Sequence, residues 1–220
     1  MRRISKRAVP PRELQGAVAG GAGDWDDPGV SLAKTAIREA LVEDQRGLCC
    51  YCMQRIRPEP YHPERERSGT KIEHFVAQSS APGRALDWSD LLAACGGSEG
   101  CPHRQQTCDT RKGERPLHHL EPLRSLPELK YKNDGRMVAT SSGVNDEIEG
   151  VLNLNSDLLV GNRRSALTAL QQSLRKTLGS STWTRQQLLR ERQRIQELPT
   201  APPFLGTLEY WLERFARRRQ

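Results

Sequence analysis

From Ser156 onward, apolar residues recur at three- and four-residue intervals, the spacing of one face of a helix. Leu159, Ala166, Leu167, Leu170, Leu174 and Leu178 form one stripe, closed by Gly179. Leu188, Leu189, Arg192, Ile195 and Leu198 form a second, closed by Pro199, and Phe204, Leu208, Trp211, Leu212 and Phe215 form a third. These stripes predict three amphipathic helices whose apolar faces pack inward. An earlier helix is predicted where Ala33, Ala36, Ile37, Ala40 and Leu41 follow Ser31 as a candidate cap, with Gly47 as its stop. The stretch from Tyr131 to Val138, turning at Asp134-Gly135, predicts a small hairpin. Residues 1 to about 30 are rich in Gly and Pro and show no period, which predicts an irregular arm. No internal repeat is present. The pattern gives an α+β fold, mainly helical.

Composition narrows this picture. At 220 residues the chain suits one domain with an extension, or two small ones. Only 35% of residues are hydrophobic, and no run approaches the ~18 apolar residues of a membrane span. The start, Met1-Arg2-Arg3-Ile4-Ser5-Lys6-Arg7, is basic with no apolar stretch behind it, so a cytoplasmic location and no membrane partner are expected. The net charge of +7 favours a polyanionic partner. Much of that excess lies at the two ends, in the first seven residues and in Arg214, Arg217, Arg218 and Arg219, where it also reads as solvated termini.

The six cysteines, at 49, 50, 52, 95, 101 and 108, are clustered. In a reducing compartment they point to metal ligation rather than to a disulfide framework. Cys49 and Cys52 have the Cys-x-x-Cys spacing that puts two sulfurs on one turn, and Cys95 and Cys108 are the best second pair. Cys50 and Cys101 are then spare, with Cys101 or His103 as rivals for the fourth position. An all-cysteine site leaves no open coordination position, so the zinc expected there is structural.

Between the pairs lies Lys71-Ile72-Glu73-His74-Phe75, followed by Trp88-Ser89-Asp90-Leu91-Leu92-Ala93-Ala94-Cys95 and then Cys108-Asp109-Thr110-Arg111-Lys112-Gly113. Each piece alone is ordinary surface polarity. Their order resembles the HNH nuclease family: Cys-x-x-Cys, an acid-His pair, Asn-Leu with a Cys behind it, then Cys-Asn-x-x-Lys. The resemblance implies a ββα-metal finger with a structural zinc, surrounded by helices. It assigns Glu73 and Asp109 to a catalytic divalent cation, Mg²⁺ or Mn²⁺, and His74 to the general base. Asp90 falls where an Asn steadies that histidine, and Lys112, with Arg111, falls where a phosphate would be met. Glu73, Asp90 and Asp109 depart from the commoner Asp, Asn and Asn or His, and an acid at 90 favours the imidazolium form of a neighbouring histidine. The remaining histidines, His62, His103, His118 and His119, read as ordinary polar residues.

Those residue types suit phosphodiester hydrolysis. A histidine with an ordinary pKa of about 6.5 can accept a proton from water at cellular pH. Carboxylate oxygens suit a hard cation. A longer pattern resembles the PtuB-like component of Septu-type and retron-associated anti-phage systems: Leu48-Cys49-Cys50-Tyr51-Cys52, Ile72-Glu73-His74-Phe75, Asp87-Trp88, Thr107 to Gly113, Val151-Leu152-Asn153-Leu154-Asn155, and a helix with Arg163. That likeness implies a nuclease acting on nucleic acid, DNA ahead of RNA, beside an ABC-like ATPase. The expected organisation is an arm at 1–30, a zinc-stapled nuclease domain at 31–120, and a hairpin and helical region at 121–220.

Overall fold

The computed structural model describes residues 1–64, 68–124, 126–179 and 182–219. The chain is α+β. Two short antiparallel strand pairs sit among seven α-helices.

Helix α1, Arg12–Ala19, and helix α2, Pro28–Asp44, open the fold. The α2 helix begins three residues before Ser31: Pro28 supplies the preset φ of a first helical residue, and Asp27 accepts from the Gly29 N–H. Its end matches expectation, since Gly47 takes φ +72° and its N–H returns to the Val42 carbonyl. The central pair follows. Strand β1, Lys71–His74, runs antiparallel to strand β2, Leu91–Ala94, with Glu73 opposite Leu92 and His74 opposite Leu91. All four residues of β2 are buried. The outer edge of β2 is covered by polar groups from α2 and the loop beyond it. The Gln45 side chain accepts from Ala93 N (2.7 Å) and donates to Ala93 O (2.8 Å), and Cys50 N also donates to Ala93 O (3.0 Å). A buried strand edge is thereby satisfied without a third strand.

Helix α3, Cys108–Lys112, follows β2 after a loop. The predicted hairpin is strand β3, Leu129–Tyr131, paired with strand β4, Met137–Ala139. Its turn requires glycine: Gly135 has φ +97°, and a Cβ there would meet the Val160 carbonyl at 2.3 Å. Helix α4, Ser142–Asp146, runs on into a π-helical turn at Glu147–Val151. Helices α5 (Asp157–Leu178), α6 (Arg185–Glu197) and α7 (Leu205–Arg217) complete the chain. Ser156 caps α5, Gly179 closes it in the left-handed conformation, and Thr184 with Gln187 forms a capping box on α6. The predicted stripes are buried at Leu167, Leu170, Leu174, Leu188, Ile195, Leu208, Trp211 and Leu212, whereas Leu189 faces solvent.

The first thirty residues correct the expectation of an irregular arm. Leu14 of α1 is buried, as is the Met1 side chain. Lys6 reaches the Leu91 carbonyl (2.6 Å) and the Trp88 carbonyl and lies over the Trp88 ring (3.8 Å), while Arg7 pairs with Glu43 (2.7 Å) and Asp44 (2.8 Å). An eight-residue helix with one buried side chain is too short to register as a period.

Two hydrophobic clusters result. One surrounds the central strands and draws on residues before 30, between 31 and 120, and beyond 121. The other joins α5, α6 and α7 around Trp183 and Trp211. The Cys49–Cys52 turn is wedged between them: Cys49, Cys50, Tyr51 and Cys52 belong to the first cluster, and their flanking residues Leu48 and Met53 to the second.

Candidate metal centre and acidic site

The Cys49–Cys52 turn is closed by backbone bonds from Cys49 N to Gln54 O and from Met53 N to Cys49 O, with Met53 at φ +64°. Cys95 stands directly after β2. Cys108 opens α3 at φ +54°, its N–H bonded to the Leu152 carbonyl. A close approach at Gly97 makes the return possible, since a Cβ there would meet the Thr107 carbonyl at 2.2 Å. These elements bring the sulfurs of Cys49, Cys52, Cys95 and Cys108 within 4.8 Å of one another, all buried. The Cys52 and Cys95 sulfurs are 3.7 Å apart. Bonds of about 2.3 Å from a tetrahedral zinc place sulfurs about 3.8 Å apart, so the donor set fits a structural metal such as zinc. The Gln54 N–H donates to the Cys52 sulfur (3.4 Å), a contact suited to thiolate charge.

Titration of the sulfurs points the same way. Burial pushes the Cys49 thiol up, but contacts from Cys108, Cys50, Cys52 and Cys95 outweigh it and hold the group well below the usual range. Cys108 is driven well up, first by Cys49 and then by Cys52, Cys95 and burial. The sulfurs compete for negative charge that a dication would satisfy. Cys50, Cys101 and His103 stay outside the group: Cys50 is a buried thiol raised by burial, Cys101 is exposed, and His103 is exposed and bonded to Arg111. All six cysteines are free.

The acidic site is built from the same elements. Glu73, 3% exposed, points inward from β1. Its Oε1 accepts from the Tyr51 hydroxyl (2.7 Å) and pairs with Lys112 Nζ (2.9 Å). Asp109, the residue after Cys108, brings its carboxyl into hydrogen-bonding contact with Glu73 and faces Lys71 Nζ (3.4 Å). Burial and then Asp109 push the Glu73 carboxyl well above the usual range, against the opposing pull of Lys112 and Tyr51. Two neighbouring acids, one of them buried, oppose each other's charge, and a cation between them would relieve that opposition.

His74 follows Glu73 on the strand and is half-buried. Its Nε2 is 3.0 Å from the Ala85 carbonyl and its Nδ1 is 3.2 Å from the Gln78 amide nitrogen. A carbonyl can only accept, so the proton lies on Nε2, and Nδ1 is the acceptor facing Gln78. The Trp25 ring stands edge-on to the imidazole, centroids 4.6 Å apart, and Lys34 Nζ lies over that Trp25 ring at 4.9 Å. Burial lowers the His74 pKa from its ordinary 6.5, opposed by the Ala85 carbonyl and Asp109 and reinforced by Lys112 and Lys34. The ring is neutral at pH 7.

Three expected roles change. Asp90 does not steady His74. Its carboxylate pairs with Arg84 (2.7 Å), and the Ala85 carbonyl takes the steadying position because the turn after Pro82 lies across the imidazole edge. Lys112 is not offered to a phosphate. It is 2% exposed and committed to Glu73, since α3 turns it inward beneath β1. Arg111 is turned toward His103, bonding its ring nitrogen (2.5 Å) and its carbonyl (2.8 Å). Conversely, Tyr51, Trp25, Gln78 and Ala85 all touch the site without having been expected there. Tyr51 carried the strongest available signal, lying inside the Cys-x-x-Cys turn.

Farther out, Asn155 brackets Met137 through its N–H (2.8 Å) and carbonyl (2.7 Å). The buried Arg163 guanidinium binds the carbonyls of Gly135 and Leu154 (2.6 Å each). The Asn-Leu-Asn run thus ties the hairpin to α5. His118 and His119 donate their backbone N–H groups to the buried Glu147 and take no part in the acidic site. Among the described residues, no helix is long and apolar enough to cross a membrane. No protein-family model matches the chain, and no curated protein matches its sequence.

Proposed function

We propose that the chain is a metal-dependent nuclease of HNH type that hydrolyses phosphodiester bonds. The observation that carries the reading is that Glu73 and Asp109 act on one another while His74, the next residue of the strand, is neutral, oriented by the Ala85 carbonyl and within electrostatic reach of Asp109. The two carboxyls are the oxygen donors a hard cation prefers, and Tyr51 and Lys112 both engage Oε1 of Glu73, leaving Oε2 to it. Held by Glu73 and Asp109, Mg²⁺ or Mn²⁺ would stabilise charge developing on the phosphoryl group and the departing 3′ oxygen.

The chain's own part is proton transfer and positioning. The Ala85 carbonyl fixes Nε2–H, so Nδ1 presents its lone pair. A water that displaces the Gln78 amide there loses its proton to Nδ1 as its oxygen attacks phosphorus, and the 3′ oxygen departs. Burial keeps the base deprotonated at pH 7. Lys112 and Tyr51 hold the Glu73 carboxylate in place. On the resemblance to PtuB-like proteins, the substrate is DNA ahead of RNA, the setting is anti-phage defence in the cytoplasm, and the protein partner is an ABC-like ATPase.

One observation favours a second reading. The Lys112–Glu73 pair, with side chains 1% and 3% exposed, also serves as a structural ion pair in a zinc-stapled adaptor without catalysis. Incubating plasmid and labelled oligonucleotides with the protein, alone and with an ABC-like ATPase encoded beside it where there is one, in Mg²⁺ or Mn²⁺ separates the two. Cleavage lost in His74→Ala supports the nuclease. Cleavage absent from the wild type in every combination, or undiminished in His74→Ala, overturns it.

A further inference from the structure

A cleft of about 550 Å³ lies where the first residues of the chain meet β3 and the outer faces of α6 and α7. Six arginines line it, Arg2, Arg3, Arg192, Arg214, Arg217 and Arg218, against three glutamates, 128, 209 and 213. This single cleft therefore holds +3 of the chain's net +7. The glutamates are spoken for: Glu209 pairs with Arg2 (3.1 Å), Glu213 with Arg217 (2.6 Å) and Arg192 (3.7 Å), and Glu128 with Lys130 (3.9 Å). Among the described residues, Arg3, Arg214 and Arg218 enter no ion pair, although each borders the cleft. Tyr210, partly exposed, contributes an aromatic ring to the same wall.

The wall of the cleft continues along the chain toward a second, smaller pocket. The connection between α3 and β3 lines the cleft with residues 126–129 and, at Glu121, Leu123 and Arg124, lines a small pocket that also touches Phe75 and Asp90. Phe75 directly follows His74. The Ile4 N–H bonds to the Pro122 carbonyl (2.8 Å), fixing Arg2 and Arg3 against the same connection. Uncompensated guanidinium groups beside an aromatic ring match a phosphodiester backbone, whose regularly spaced charges accept guanidinium hydrogen bonds and whose bases can stack.

We infer that this cleft is a second nucleic-acid contact, gripping the sugar–phosphate backbone outside the acidic site. The inference shares with the nuclease reading its choice of ligand and rests on that reading for its biological sense. It does not need catalysis. The N-terminal segment, residues 126–129 and α7 then form one anion-binding wall.

The test measures equilibrium binding of the full chain carrying His74→Ala to a fluorescent 30-nucleotide single strand and to the matching duplex, over a range of salt. Arg3→Gln, Arg214→Gln and Arg218→Gln are combined. A control combines Arg12→Gln, Arg185→Gln and Arg190→Gln, exposed arginines away from the cleft. Loss of three phosphate contacts should weaken affinity about 10- to 100-fold and flatten the log–log salt dependence by about 2 to 3. The control should leave both nearly unchanged. The single strand and duplex arms identify which form the cleft prefers, and the effect in either one upholds it. Equal losses in the two triple variants overturn the inference, as does wild-type-like binding by the cleft variant. So does an absence of binding to both oligonucleotides. Intact binding without metal-dependent cleavage in the parent chain would overturn the nuclease reading instead.

Discussion

The sulfur cluster and the acidic site are neighbours built from the same pieces, yet they are finished to different degrees. Tyr51 and Cys52, or Cys108 and Asp109, are consecutive residues that serve opposite clusters. The cysteines are four donors of one kind, all buried and close enough together to surround one ion. The acidic site mixes a buried acid, a partly exposed acid, a buried lysine and a half-open imidazole. A closed, uniform donor set serves stability. An uneven one, with two acids pressed together and a base oriented by a carbonyl, holds unspent electrostatic demand that something from solution can meet. The protein places the second kind of site on the scaffold the first kind makes rigid.

The contrast can be broken most violently at the sulfurs. Cys52→Ser or Cys108→Ser removes a structural ion whose binding contributes on the order of 10 kcal/mol, comparable with the whole stability of an ordinary domain, about 5–15 kcal/mol. The variants should lose zinc by elemental analysis and helical signal by circular dichroism together. A folded variant with unchanged metal content would remove the staple.

Next in size is Lys112→Met, which strands Glu73 in the interior. Removing one partner of a buried pair costs about 3–5 kcal/mol, readable in urea unfolding, and adding Glu73→Gln should recover much of it. If the single variant is as stable as the wild type, Glu73 is already neutral and the pair contributes nothing.

His74→Ala separates the clusters from the other side. Loss of a general base should slow cleavage by about 10²- to 10⁴-fold while zinc content stays at the wild-type level. The pH dependence carries a sign. With His74 lowered below 6.5 by burial, both folded and unfolded chains hold it neutral above that pH, and its contribution to stability is complete there. As pH falls below 6.5 the unfolded chain gains the proton first, so stability declines toward the lowered folded value. Activity should hold below pH 6.5 for the same reason, then fall as Nδ1 is occupied. A rate profile whose acid limb lies above 6.5 contradicts a buried base. The smallest effect is expected from Asp90→Asn, which should leave that acid limb in place because Asp90 pairs with Arg84 and not with the imidazole. A displaced limb would return Asp90 to the base.

Legibility in the sequence followed the range of the interactions. The helical stripes, the Gly135 turn and the cysteine set were readable because each depends on residues close in sequence or on a donor type with few other uses. Cys95 and Cys108, chosen over Cys101 and His103 as the pair that completes four-coordination, are the two that meet Cys49 and Cys52. Trp25 and Lys34 were not readable, since their approach to His74 depends on how a short, aperiodic segment packs. Nor was the Ala85 carbonyl, because backbone acceptors carry no residue signature. Lys112 was read by position alone. A lysine one turn after a cysteine projects to a definite face, but which face is buried is set by strand β1, far away in the chain.

The wedge formed by residues 48–53 has a consequence for how the molecule comes apart. Leu48 and Met53 plug into the tryptophan-rich helices while the sulfurs between them plug into the strand layer, so six consecutive residues act as a rivet through both. Chelation pulled at that point should dissolve distant helices as readily as the strands around the ion. A titration with a strong zinc chelator should then yield a single transition by every spectroscopic probe, tryptophan fluorescence included.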